Sequence, residues 1–459
     1  MTRYLPDPRI LELGPDFYDP VEPAKFPAAI PRFLNRRWSD RVGLSMDAEG
    51  WERHFQRFEP MPDNLPQPLA LRYHGHQFRV YNPDIGDGRG FLYAQLRDGD
   101  GRLLDLATKG GGRTPHSRSG DGRLTLKGGI REVLATEMLE ALGVNTSKTF
   151  ALFETGEQLQ RNDEPSPTRS AVLTRLGHGH IRIGSFQRLA FLDDRAAIAA
   201  LTRYTLANLY GEKAGYDDSA NAYRLFVLAS AATATLAASY LAAGFVHGVL
   251  NSDNINVTGE SFDYGPWRFA TVWDENFVAA YFDHNALYAF GVQPEAIHWD
   301  LAQLAGCLSL IADREPLDAE LERWGMSFQD ALVAALVRRL GIAPTANDLP
   351  LASAILAALR TRLMTIDRFF FDWRGGRDPD HALYSDEIFD PLRNALHGRN
   401  PAAAALSHDY WNDDGPCSMA IDEVEAIWAT IADHDDWSAF EAKIAAIRRM
   451  GDAMNGVTS

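Results

Sequence analysis

Between Leu69 and about Ile183, apolar residues come in short runs broken by glycine, the pattern of strands joined by tight turns. Phe91–Leu96, Leu103–Thr108, Thr149–Glu154 and Ser170–Arg175 read as strands. One helix interrupts them, from about Gly129 to Leu142: Val133, Leu134, Met138 and Leu142 recur at helical spacing, and Gly143 stops it. After about Phe191 the period changes. Alanine- and leucine-rich segments predict helices at Ala197–Leu209, Leu225–Leu241, Trp299–Ile311, Phe328–Leu340 and Leu351–Phe370, with a final pair at Ile421–Ala432 and Trp437–Met450. Only Ile255–Val257 and Phe269–Val272 have strand character there. The opening stretch, rich in proline and aromatics, reads as an irregular extension packed on the body.

The expected organisation is therefore an extension over residues 1–68, a strand-rich part over 69–190, and a helical part over 191–459 that holds a loop at 247–265. A strand-rich first part with one key helix, followed by a mostly helical second part, is the α+β layout of a two-lobed protein-kinase-like fold. Layout by itself does not establish function. Leu225–Val246 carries no charge and is long enough to span a bilayer. It is rich in Ala, Ser and Thr, however, and a buried central helix is the expectation.

Composition narrows the classes. The 459 residues are 46% hydrophobic and 23% charged, ordinary values for a globular protein. A net charge of −17 argues against a general nucleic-acid binder, which needs clustered positive charge. A local basic pocket would stand out against that background and draw in an anion. The two cysteines, Cys307 and Cys417, have no close partner in sequence, and Met1–Ile10 has no apolar run of signal-peptide type. Both features suit a reducing, cytoplasmic setting, with no membrane partner expected.

Four groups of residues carry candidate chemistry. Gly86-Asp87-Gly88-Arg89-Gly90 precedes a strand; its glycines would let the backbone approach a ligand and Arg89 could meet a phosphate, although a hairpin turn explains them equally well. Lys109 ends a strand beside Gly110–Gly112, and Glu132 lies in the one helix of this region. A strand lysine held by a helix glutamate is the pairing that fixes nucleotide phosphates in kinases; a solvated lysine and an unrelated first-turn acid are the alternative. Asp121-Gly122-Arg123 lies between the two, and Arg175 and Arg182 flank Gly177-His178-Gly179-His180. Arginines gathered near one glycine-rich region suit phosphate oxygens.

The loop His247-Gly248-Val249-Leu250-Asn251-Ser252-Asp253-Asn254, followed by Asp263-Tyr264-Gly265, is the most specific stretch. Small-molecule kinases carry a loop that starts His-Gly-Asp and ends in Asn, and that asparagine and a later aspartate hold the metal. Here Asn254 and Asp263 keep those places, but Val249 replaces the aspartate. A valine cannot accept a proton, and the nearest carboxylate is Asp253.

With these residues assembled, and with Tyr73-His74-Gly75-His76-Gln77-Phe78, Lys109–Pro115 and Ser119–Arg123, the chain resembles the selenoprotein O family of kinase-like protein adenylyltransferases. The resemblance runs from about Leu69 to Leu308. It implies a nucleotide turned end for end relative to a kinase, so that AMP passes from ATP to Ser, Thr or Tyr hydroxyls of protein substrates. Lys109 would grip phosphates and be oriented by Glu132, with Gly86, Gly88, Arg89, Asp121, Gly122, Arg175, Arg182 and Asp263 lining the nucleotide site. Asn254 and Asp263 would hold Mg2+ or Mn2+, and Asp253 would act as the base. Departures are Arg79 and His116, where the family often has glycine and tyrosine, and an end, Asn455–Ser459, without the cysteine or selenocysteine many members use in redox control. UMP transfer, a conventional kinase with an atypical base, and an inactive nucleotide-binding scaffold are the competing readings.

Overall fold

The computed structural model describes residues 3–456; Met1, Thr2 and Val457–Ser459, the last of the thiol-free end, lie outside the described residues. Among the described residues up to Gly177 come ten strands: β1 (Tyr18–Pro20), β2 (Ile30–Leu34), β3 (Leu69–Leu71), β4 (Gly75–Gln77), β5 (Val80–Asn82), β6 (Leu92–Arg97), β7 (Leu103–Lys109), β8 (Leu124–Thr125), β9 (Lys148–Leu159) and β10 (Thr168–Gly177). Eight form one antiparallel sheet in the order β1-β3-β6-β7-β10-β9-β2, with β8 also on β10, while β4 and β5 make a separate hairpin.

Period-two alternation sends neighbouring side chains into different cores. Leu92, Leu103, Leu152 and Leu173 join the core that also holds helix α3 (Leu126–Ala141), whereas Tyr93, Leu104, Phe153 and Val172 face an aromatic cluster on the other side. That cluster comes from the opening segment, which supplies α1 (Arg36–Arg41) and α2 (Ala48–Phe55) with Trp38, Trp51, Phe55 and Phe58. The segment also gives the sheet both of its edge strands, β1 and β2. Residues 3–68 thus hold strands and helices rather than an irregular extension. Their strands are too short, and too interrupted by Pro20 and Pro31, to show a periodic signal.

Helix α3 (Leu126–Ala141) starts at Thr125, whose side chain accepts from Gly128 N, and is buried along nearly its whole length. The later part holds α4 (Ile183–Phe191), α5 (Arg195–Tyr204), α6 (Asp218–Ala243), α7 (Gln293–Leu308), α8 (Arg314–Leu340), α9 (Leu349–Arg360), α10 (Ile366–Asp372), α11 (Asp390–Leu396), α12 (Ile421–His434) and α13 (Ser438–Met454). The fold is mixed α and β, with one large antiparallel sheet and many helices. Helix α6 alone among the described residues is long and apolar enough to cross a membrane; 72% of its apolar window is buried, and it packs against α7 and α8.

Two expectations need correction. Leu351–Phe370 is two helices, broken where Arg362 takes a left-handed backbone (φ +57°). Ile255–Val257 does not extend into a full strand: Asn256 makes a single antiparallel bridge with Arg182, with Ile183 N donating to Ile255 O and Val257 N to Ile181 O. Strand β12 (Arg268–Phe269) does form, pairing with β11 (Phe245–Val246), and the two strands close off the loop between them.

Candidate active site

That loop, strand β7 and the glycine segments before and after it surround a cavity of about 690 Å³. Its lining brings together Gly86, Gly88, Arg89, Lys109, Asp121, Gly122, Arg175, Arg182, Asp253 and Asp263. Glu132 and Asn254 are not in the lining. Glu132 reaches the cavity through Lys109, and Asn254 sits in the single turn Ser252–Asn254, its Nδ2 donating to Val249 O at 3.1 Å. His178 and His180 are absent from the lining as well; His180 Nδ1 pairs with buried Asp105 at 3.0 Å.

Strand β7 delivers Lys109 to the floor of the cavity, almost wholly buried. Its Nζ donates to Glu132 Oε1 from α3 and lies 2.9 Å from Asp263 Oδ1. Arg175 on β10 points at the same carboxylate, Nη1 to Oδ1 being 3.5 Å. Burial alone would raise the Asp263 carboxyl, but Lys109, Arg175, Arg89 and Arg182 together hold it well below the usual carboxylate range. Asp263 also sits in a left-handed backbone conformation (φ +63°), a strained state of the kind that concentrates at functional sites. His247 braces this corner, with its Nε2 donating to Phe262 O at 3.0 Å and its backbone N to Gln293 Oε1 at 2.9 Å.

The cations are left with unused donors. Arg175 Nε and Nη1 and Arg182 Nε are buried without a hydrogen-bond partner. Arg182 is otherwise well held: Nη1 donates to Asp253 O at 3.1 Å, Nη2 to Asp87 Oδ1 at 3.1 Å, and its guanidinium stacks 4.2 Å from the Tyr73 ring centroid. Buried cations with free donors at the bottom of a polar cavity fit an anion with several oxygens. Gly90 keeps the floor close-packed, since a Cβ there would lie 2.0 Å from Thr108 O.

Asp253 is the other buried acid. Burial, reinforced by Asp263 and opposed by Arg182, pushes its carboxyl up to about 6, and its Oδ1 has no partner. Such a group is a strong acceptor poised near neutral pH. Sequence reasoning missed Asp87, Tyr73 and Arg161 as parts of this site. Asp87 stood inside the glycine motif and was readable there. Arg161 pairs with Asp121 (Nη1 to Oδ2, 2.8 Å) from a loop distant in sequence, which no local spacing reveals.

The model of the family described as Protein adenylyltransferase SelO matches residues 3–413. The chain belongs to the SelO family. Three relatives named Protein nucleotidyltransferase YdiU share the likeness over nearly their full length. The one from Synechocystis sp. is 39% identical over 458 residues, covering 95% of this chain and 96% of the relative. That from Gloeobacter violaceus is 40% identical over 461 residues, covering 96% and 95%. That from Rhodopseudomonas palustris strain HaA2 is 38% identical over 477 residues, covering 97% and 94%.

Proposed function

We propose that this chain is a protein nucleotidyltransferase that moves AMP from ATP to Ser, Thr or Tyr hydroxyls of protein substrates. Nucleotidyl transfer is the coarser reading, supported by the family and by relatives named for that activity. In this reading residues 69–190 and 191–459 are the two lobes of a kinase-like fold, residues 1–68 extend the first, and the cavity between them holds the nucleotide inverted. One observation carries the assignment: Asp253, with a free, buried Oδ1, lines the same cavity as the free donors of Arg175 and Arg182, while Val249 stands where a kinase keeps its base.

Lys109, Arg89, Arg175 and Arg182 would bind the β- and γ-phosphates, and Glu132 would aim the lysine. The α-phosphorus then faces Asp253. The acceptor oxygen bonds to the α-phosphorus as the bond to the bridging oxygen breaks, Asp253 takes the hydroxyl proton, and pyrophosphate leaves into the cationic floor. Among the described residues no three His, Cys, Asp or Glu side chains gather as a metal cage. Asp263 offers an ionised carboxylate, and Asn254, its Nδ2 spent on Val249, offers the amide oxygen. This sparse oxygen set suits Mg2+ or Mn2+, which would offset phosphate charge when bound.

Parallel incubations with ATP labelled at the α- or the γ-phosphate, with the chain's own modification and a mixed protein substrate as readouts, test the reading. Label from α-ATP alone is expected, with an intact mass raised by AMP. Label from γ-ATP alone would establish a kinase instead, and α-label from UTP in preference to ATP would make it a uridylyltransferase.

A further inference from the structure

The family model ends at residue 413, so the C-terminal helix pair lies beyond the matched residues. Yet α13 packs along α3, the helix that carries Glu132. The approach is close, since a Cβ on Gly451 would lie 3.2 Å from Ala141 Cβ. Arg448 grips Glu137 of α3 with two bonds, Nε to Oε2 at 2.7 Å and Nη2 to Oε1 at 3.1 Å. The Glu137 side chain is only 2% exposed, while Arg448 keeps 33% of its own in solvent, so the arginine caps a buried carboxylate that would be costly to leave unpaired. Asn35 Nδ2 (3.3 Å) and Arg37 Nη2 (3.8 Å) also face Glu137, and both belong to the opening segment.

Two more acids of the helix pair extend the grip, one onto α3 and one onto the sheet. Glu425 of α12 meets Lys127 in the first turn of α3 at 2.6 Å. Asp435, between α12 and α13, accepts from Arg169 on β10 at 2.8 Å and Arg32 on β2 at 3.3 Å. Glu132 and Glu137 are five residues apart, about 140° around the helix axis. Helix α3 is therefore pinned from two sides, by Lys109 on the cavity side and by Arg448 on the other. In kinases the position of this helix decides whether the lysine–glutamate pair forms.

We infer that α12 and α13 are a built-in strut for α3, and that Arg448 is a positioning residue that keeps Glu132 on Lys109. The inference rests on the proposed role of Lys109 as a phosphate ligand. It gives the helical end of the chain, which carries no recognised motif, a part in the reaction.

The test reads Lys109 directly, in the full-length protein without nucleotide. A small amine-reactive ester labels accessible lysines, and peptide mass spectrometry gives the rate at Lys109. The parent should label slowly and Arg448→Ala severalfold faster, with Arg448→Lys returning toward the parent. Glu132→Gln should also raise the rate, and adding Arg448→Ala to it should raise it no further. Unchanged labelling in Arg448→Ala overturns the inference, and so does an effect that simply adds to that of Glu132→Gln. Glu425→Gln, at the exposed end of the strut, gives a milder increase should Arg448→Ala not fold, and no increase there overturns the inference too. Protection of Lys109 in the parent by Mg·ATP is scored separately: its absence counts against the nucleotide reading and not against the strut.

Discussion

Gly75 lies directly against Asp253: a Cβ at Gly75 would come 2.9 Å from Asp253 Cβ and 3.0 Å from its Oδ1. The missing side chain lets the β4–β5 hairpin rest on the loop, where His76 N donates to Ser252 Oγ at 2.7 Å and Phe78 N to Asn251 Oδ1 at 2.9 Å. Gly75→Ala must displace the carboxylate. A displacement near 1 Å costs roughly 10²-fold in rate, so kcat should fall by about that much while Mg·ATP affinity holds. Calorimetry beside a label-transfer assay separates the two, and a matching loss of affinity would place Gly75 in nucleotide binding instead.

Removing the carboxylate altogether should be worse than moving it. Asp253→Ala is expected to fold, to bind Mg·ATP, and to lose roughly 10²–10⁴-fold in transfer rate, the usual contribution of a general base. Parent-like rates would mean that another group takes the proton.

Much of this arrangement was legible in the sequence, for physical reasons that also explain the misses. Strands β6, β7, β9 and β10 and helix α3 are buried almost throughout, so their apolar periods are strong. The first half of α8 shows little apolar signal because only Leu317 and Trp324 are buried before Ala335, so the helix is legible in the sequence only from Phe328. Glycine and charged residues at fixed spacing marked Lys109, Asp253 and Asp263, since few packing roles need them there. What no spacing could show was closure at a distance: Arg448 onto Glu137, Arg161 onto Asp121, and the opening segment onto the far face of the sheet.

The two proposed metal ligands should not be equal. Asp263 is a carboxylate held ionised by four cations, whereas Asn254 is a neutral amide. Asp263→Ala should therefore cost more of the Mg2+-dependent ATP affinity than Asn254→Ala. Titration of ATP with and without Mg2+ measures both. Metal-dependent affinity left intact in Asp263→Ala would remove that residue from the metal site.

A pH dependence of stability is expected from Glu260, near the crossing from sheet to loop. Burial, opposed by Lys148 and by the bond from His178 N (2.6 Å), pushes its carboxyl from 4.5 up to about 7. The folded chain thus holds this proton more tightly than the unfolded one. The resulting stability is complete below about pH 4.5 and is lost as pH rises through about 7. A shift of this size is on the order of 3 kcal/mol. Glu260→Gln cannot ionise and keeps an acceptor for His178 N, so the parent should lose ground to it as pH is raised from about 5 to 8. Denaturant melts at several pH values would show the trend, and parallel curves for parent and variant would contradict it.

The sharpest separation of the two nucleotide poses comes from Val249. Its carbonyl anchors Asn254 Nδ2, a backbone bond that a side-chain change leaves in place. Val249→Asp therefore returns the kinase carboxylate to an otherwise intact loop. With the nucleotide upright, the γ-phosphorus and the acceptor hydroxyl would meet that carboxylate, and γ-label should pass to protein. With the nucleotide inverted, the γ-phosphate lies on the floor among Lys109, Arg175 and Arg182, and the new carboxylate meets no acceptor beside it. The expected result is no γ-transfer, with α-transfer still dependent on Asp253, so that Val249→Asp combined with Asp253→Ala is inactive toward both labels. γ-Label on protein in Val249→Asp would reverse the assignment of the pose, because the same floor of cations would then be holding the opposite end of the nucleotide.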